Sequence, residues 1–340
     1  MGIKPIPLFM LSAWIKAAAK CGFSVQSLFK EAGIKIDLIR LEDARVSPLQ
    51  LISLLEQCVA LSPDKHFPLV LGDTFAFESL PEFETLLTTS SNLREALRVA
   101  DMAARMVLPW LKLDVKDEGL HGRVIVEFNI PLPNFVLYEL PLTLVAQAIL
   151  ACIRKFGRTL QGSEEGFVGV TFKGPAPDNA AQFEAFFGAP VTFDAAADAL
   201  IFESRILDVP LEGAFPSLHE QANFLAEQRL GKEARRQGVA AEIEELINRD
   251  PALLAVGVEE MAERLNLHPR TLQRRLKEES DSYLHVQARM RHRLACQWLR
   301  KGDAIDDISA RLGFSDRRAF TAAFKRWEGA TPSAWREQQV

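Results

Sequence analysis

Apolar residues recur every three or four positions over Leu8 to Lys20, over Val25 to Glu31 behind Ser24, over Leu49 to Leu61 behind Ser47-Pro48, and from Ser91-Asn92 through Arg105. That spacing predicts helices, and the serine, asparagine and proline ahead of the runs supply start signals. Beyond Arg105 the period shortens. Trp110 to Lys116 and Arg123 to Phe128 alternate or run β-branched around Asp117-Glu118-Gly119, the pattern of a hairpin. Further strands are predicted at Gly166 to Phe172 and Ala199 to Glu203, with helices at Pro141 to Phe156 and Asn179 to Phe187 between them. Pro210 to Pro216 is a break, Ser217 to Arg236 reads as one polar helix ending near Gly238, and from Val239 onward every element reads as helix. The fold class that follows is an α+β domain over residues 1–210, a linker helix within 211–238, and an all-α domain over 239–340. No repeat of solenoid period and no low-complexity tract interrupts it.

Two stretches of the all-α part have the form of helix-turn-helix units. In the first, residues 258–278, Val258, Met261, Ala262 and Leu265 share one helical face, and Ala262 is small where two helices must cross. Asn266 to His268 form the turn. Pro269 opens the second helix where a missing N–H costs nothing, and Leu272 and Leu276 pin it inward. Arg270, Gln273, Arg274 and Lys277 are left outward, side chains of the kind that reach guanine, adenine and phosphate from a major groove.

The second unit spans 305–327. Ile305, Ile308 and Leu312 form an inner face, Gly313 permits the turn, Ser315 is the expected cap, and Phe320, Phe324 and Trp327 anchor the second helix. Arg317, Arg318 and Thr321 point away from it, and Lys325 and Arg326 follow near the phosphates. The helix between the units, about Tyr283 to Arg300, carries Met290, Leu294, Ala295, Trp298 and Leu299 at core spacing. At a rise of about 1.5 Å per residue it spans about 26 Å, which with helix widths approaches the ~34 Å between successive major grooves on one DNA face.

Charge sharpens this. The net charge of −5 speaks against a polyanion partner, but it conceals a polarity. From Pro251 to the end there are 16 Lys+Arg against 12 Asp+Glu, net +4, whereas the remainder holds 24 against 33, net −9. The basic end is the candidate for nucleic acid.

The rest of the composition removes other classes. Half the residues are apolar and a quarter charged, as in ordinary globular chains, and no apolar run reaches the ~18 to 20 residues of a membrane helix. Ile6 to Ile15 has the length of a signal core, but Lys16 and Lys20 continue it as an amphipathic helix. Cys21, Cys58, Cys152 and Cys296 stand singly, so neither a disulfide framework nor a zinc motif is suggested, and a reducing cytoplasm fits best. His292 and Cys296 lie one helical turn apart, with no further ligand nearby in sequence; packing is the expectation, and no metal or cofactor. Asp306-Asp307 and Glu278-Glu279 flank helix ends, and no phosphate loop, dinucleotide fingerprint or nucleophile triad is present, so no enzyme is predicted.

The stretch Leu312-Gly-Phe-Ser-Asp316, then Phe320, Phe324-Lys-Arg-Trp327, Gly329, Thr331-Pro332 and Trp335-Arg336, closely resembles the C-terminal signature of the AraC/XylS regulators. Arg270 to Lys277 resembles that family's first recognition helix. The likeness covers about the last hundred residues. Two positions depart from it: Ala322 stands where many members have arginine, and Glu328 replaces a usual aromatic. The N-terminal part is similar, more faintly, to the sensor domain of the branch that includes ornithine-utilisation regulators, through Gly22-Phe-Ser, Leu28 to Gly33, Asp73 and Ser90 to Leu97.

The resemblance implies a sequence-specific regulator of transcription, more often an activator, that binds double-stranded DNA as a homodimer, contacts RNA polymerase and senses a small molecule through its N-terminal domain. Trp110, Phe128, Phe135 and Tyr138 are the candidate lining of an apolar effector pocket. Two other readings stay open: a DNA-binding dimer that needs no effector, and an enzyme domain tethered to a DNA module.

Overall fold

The computed structural model describes residues 6–7, 11–34, 45–128, 139–279 and 281–338. The chain divides into two compact units, Gly2–Ala226 and Glu227–Val340.

The first unit is α+β. In chain order it holds β1 (Ile6–Pro7), α1 (Leu11–Cys21), α2 (Gln26–Glu31), β2 (Arg45–Val46), α3 (Pro48–Ala60), α4 (Phe67–Thr74), α5 (Pro81–Thr88), α6 (Leu93–Val107), β3 (Leu111–Glu118), β4 (His121–Phe128), α7 (Glu139–Gln161), β5 (Phe167–Thr171), α8 (Ala180–Phe187), β6 (Val191–Thr192) and β7 (Ala199–Glu203). The starts behave as their sequences require. Ser47 accepts from the Gln50 N–H at 3.2 Å while its own N–H donates back to Gln50 Oε1 at 2.9 Å, a capping box ahead of Pro48. Asn92 accepts from the Glu95 N–H at 2.9 Å and starts α6.

Five strands form one sheet in the order β3-β4-β7-β5-β6, antiparallel except for the β5–β6 pair. The hairpin turns at Gly119, φ +83°, with Glu118 opposite His121, so Asp117 and Glu118 belong to the strand rather than to the turn. The α7 helix extends beyond the expected Pro141–Phe156 at both ends. Against it packs α4, a segment whose sequence has almost no polar face: Phe67, Leu69, Leu71 and Gly72 are all buried, and α4 lies between α1 and α7. A helix buried over most of its surface carries little amphipathic signal. The Leu8 end of the first predicted helix falls outside the described residues, as do Phe135 and Tyr138.

The boundary between the units lies within α9 (Pro216–Gln237). The second unit continues with α10 (Val239–Arg249), α11 (Val258–Arg264), α12 (Pro269–Glu278), α13 (Tyr283–Arg300), α14 (Ile305–Arg311), α15 (Arg317–Glu328) and α16 (Pro332–Gln338). One core joins them: Met261, Ala262, Leu272, Leu276, Val286, Met290, Ile308, Leu312, Phe320 and Phe324 are each at most 1% exposed. No helix among the described residues is long and apolar enough to cross a membrane.

Candidate DNA-binding surface and ligand cavity

In the first helix-turn-helix unit, Asn266 takes the left-handed conformation the turn needs, φ +54°. His268 is the N-cap of α12, with Nδ1 accepting from the Arg270 N–H at 3.3 Å. Leu272 and Leu276 face the core, and Arg270, Gln273, Arg274, Arg275 and Lys277 are exposed. Arg275 is an addition to the expected set. Its charge acts on Glu242 of α10. Arg274 makes a loose ion pair with Glu278 at 3.7 Å, both side chains well exposed, and such a pair yields readily to phosphate or base.

The end of α12 has a second use. Glu279 accepts from the N–H groups of Val239 and Ala240 at 2.6 and 3.2 Å, capping α10 across 40 residues of sequence. A Cβ on Gly238 would lie 2.5 Å from that carboxylate, so the glycine is needed for the approach.

In the second unit Gly313 makes the turn at φ +74°. The cap is Asp316, not Ser315: its carboxylate accepts from the Ala319 N–H at 2.8 Å, and that bond holds its pKa below the usual carboxylate range. An aspartate one residue later outcompetes the serine, whose hydroxyl merely donates to Asp316 at 3.5 Å. The helix therefore begins at Arg317, and Arg317 and Arg318 occupy its first turn, the end that reaches base edges in this motif. Both are exposed, as are Ala322, Lys325 and Arg326, while Thr321 is half-buried. Arg317 rests against Asp306 of α14 at 3.2 Å.

The two units are tied through α13. Arg291 donates from Nε to the Leu312 carbonyl at 2.9 Å and from Nη2 to the Leu254 carbonyl at 2.8 Å, reaching the end of α14 and the segment that leads into α11. Gln287, buried, donates to the carbonyls of Leu254 and Val256 at 3.0 and 2.9 Å. One face of one helix thus fixes both units.

Glu328 does not face outward with the reading residues. Its Oε1 is 2.5 Å from His292 Nε2, its Oε2 accepts from Trp335 Nε1 at 3.0 Å, and Cys296 Sγ lies 3.8 Å away. His292 and Cys296 accordingly have a third potential ligand nearby, supplied by a residue 32 to 36 positions distant, and the three ligand atoms lie within 4.8 Å of one another. The departure at Glu328 wires α13 to α15 and α16.

The first unit contains a cavity of about 160 Å³. Leu51, Leu71, Gly72, Ala103, Val145 and Ile149 are among its apolar walls, and Arg154 and Gln161 are its polar side chains. Trp110 and Phe128 are not in that lining. Their rings pack on each other at 5.7 Å, at the end of the hairpin away from its turn, and Trp110 is an ordinary core residue.

Paired helix-turn-helix units on one rigid helix, following a separate α+β unit with an apolar pocket, define a DNA-binding transcription regulator of two-part design. The arabinose-binding N-terminal domain of AraC transcription regulators matches residues 22–211, and a helix-turn-helix domain matches residues 261–338. The chain belongs to the AraC family.

It is 26% identical to the ornithine utilization regulator of Pseudomonas aeruginosa over 334 residues, 98% of this chain and 96% of that one. To the transcriptional regulator VirS of Mycobacterium tuberculosis it is 25% identical over 305 residues, 87% of this chain and 85% of that one. Among solved structures, the regulator CdpR of Pseudomonas aeruginosa is similar at 20% identity and a TM-score of 0.42, covering 92% of this chain and 96% of that chain.

Proposed function

We propose that this regulator reads DNA as a homodimer in the cytoplasm and activates transcription through RNA polymerase when a small molecule occupies the cavity of its N-terminal unit. The observation that carries the effector reading is the cavity itself. A partly open, almost wholly apolar pocket with a volume of about 160 Å³ is more than a domain serving dimerisation alone requires, and that volume matches engineered apolar cavities that hold a benzene ring. Dimerisation is supported by α9 and the residues just before it, where Phe215, Leu218, Phe224 and Leu225 are 41 to 61% exposed, an apolar stripe of the kind that a second copy covers. The direction of regulation follows the family habit.

Arg270, Gln273, Arg274, Arg317 and Arg318 are assigned to base contacts, Lys277, Lys325 and Arg326 to phosphates, and Thr321 to the edge of the second surface. Ala322 leaves that surface with fewer base contacts than the first. Arg274→Ala is expected to cost about 1 to 3 kcal/mol of specific binding and to relax one base position, whereas Lys325→Ala lowers affinity for all sequences alike. Footprinting on a selected operator checks this. An Arg274→Ala footprint and affinity equal to wild type would remove the assignment.

The relative named for ornithine utilization raises that amino acid as an effector. The cavity disfavours it, because its lining has no acidic side chain to receive a second ammonium group.

A further inference from the structure

We propose that the effector is a monocarboxylate with a compact apolar body, and that Glu164 stands in for its carboxylate on Arg154 while the cavity is empty. This rests on the reading of the cavity as the effector site.

Arg154 projects from α7 and lines the cavity together with Phe167, whose ring centroid is 4.0 Å from the guanidinium carbon. Its side chain is only 11% exposed. Burial, and the like charge of Arg158, push its pKa below the usual arginine range. Among the described residues one anion serves it: Glu164 pairs with Nη2, and also with Arg158 at 3.4 Å. Nε, buried, has no hydrogen-bond partner among the described residues.

Two asymmetries make the pair exchangeable. The cation is buried, but the Glu164 side chain is 59% exposed, so that carboxylate regains water at little cost when it leaves. It also sits between Gly162 and Gly166, both at positive φ, +67° and +77°, in the turn joining α7 to β5. The second asymmetry lies in the guanidinium. Nε and Nη2 form one edge, whose two parallel N–H groups match the two oxygens of a carboxylate, and Glu164 engages only one of them. A ligand carboxylate that takes both satisfies the orphan donor, while its hydrocarbon part fills the apolar space. A volume near that of cavities which hold benzene suits a hydrocarbon part of about six to eight carbons. A neutral hydroxyl offers a single oxygen and no charge, so it cannot reproduce the two parallel charge-assisted bonds. A dicarboxylate would place its second charge among Leu71, Ala103 and Ile149.

The test uses the full chain, with octanoate and octan-1-ol as probes in titration calorimetry and thermal shift. Wild type is expected to bind octanoate about 10-fold to 100-fold more tightly than octan-1-ol, the range for a charge-assisted hydrogen-bonded pair. Glu164→Gln removes the competitor at an exposed position, where folding is not at stake. It should tighten octanoate and leave octan-1-ol unchanged, while Arg154→Gln should erase the difference between the two. Equal affinities in wild type, or no change with octanoate in Glu164→Gln, would overturn the carboxylate inference and leave the effector cavity standing. If neither compound binds any of the three proteins, the effector reading falls with it.

Discussion

Replacing Arg291 by methionine should destabilise the C-terminal unit by about 2 to 4 kcal/mol and weaken binding to a two-groove operator more than to a single half-site. Methionine keeps much of the aliphatic volume but removes both donors. The Leu312 carbonyl, at the C-terminal end of α14, then loses the Arg291 Nε–H, and leaving a buried acceptor unmade costs about 1 to 3 kcal/mol. The Leu254 carbonyl retains Gln287, so its loss is smaller. Methionine also gives up the cation–π contact with Phe314, whose ring is 5.5 Å from the guanidinium carbon. One gain opposes these losses: burial holds the pKa of Arg291 below the ordinary arginine range, so removing the charge relieves some desolvation. The connectivity makes the effect on DNA selective. Arg291 reaches both the segment before α11 and the end of α14, and without it the spacing of the two recognition helices loosens. Urea unfolding followed at the C-terminal tryptophans, with gel shifts on full and half operators, measures both. A loss below about 1 kcal/mol would mean that Arg291 is dispensable to the linkage.

Gly72→Val should cost the N-terminal unit about 3 kcal/mol and abolish effector binding. The α4 and α7 helices meet at this glycine. A Cβ there would lie 2.2 Å from the Ala148 carbonyl oxygen, 2.7 Å from the Ala151 Cβ and 2.8 Å from the Cys152 nitrogen, and two of those three atoms are backbone that cannot rotate away. The helices must separate, and overpacking of a close-packed core costs about 1 to 3 kcal/mol, with the β-branched side chain placing the effect at the upper end. Gly72, Ala148 and Cys152 all line the cavity, so the same displacement reshapes its wall. Calorimetric melting of the full chain, whose units need not unfold together, checks the stability, and titration with octanoate checks the cavity. A melting temperature within a degree of wild type would show that the crossing is looser than its geometry.

Much of the DNA-binding half was legible from local signals. Pro269 at the first turn of α12, the Leu272–Leu276 pair, Gly313 in the second turn, and the periodicity of Tyr283 to Arg300 each act within a few residues of themselves. The Asp316 cap was one residue from its expected place, because serine and aspartate both cap helices and only the backbone conformation selects between them. Glu328 looked like a departure within a reading surface. Its role depends on His292 and Trp335, which no spacing rule connects to it. The cavity was the least legible part. Aromatic residues near the hairpin suggested a pocket, yet Trp110 and Phe128 fill core space against each other. The actual walls come largely from small and branched aliphatic residues on α3, α4, α6 and α7, which singly read as ordinary core.

The sequence by itself therefore determined the elements, the two-part design, the outward rows of Arg270, Gln273 and Arg274 and of Arg317 and Arg318, and the charge polarity that singles out the basic end. All of these depend on hydrophobic period, turn chemistry and composition, which act over a turn or two of chain. Tertiary structure alone decided where α4 packs, which glycine permits its crossing with α7, how Arg291 ties one recognition unit to the other, and that Arg154 sits buried beside an apolar space with one donor unmatched. These follow from residues far apart in sequence being pressed to close-packed density, and period and turn chemistry carry no record of which distant atoms will meet.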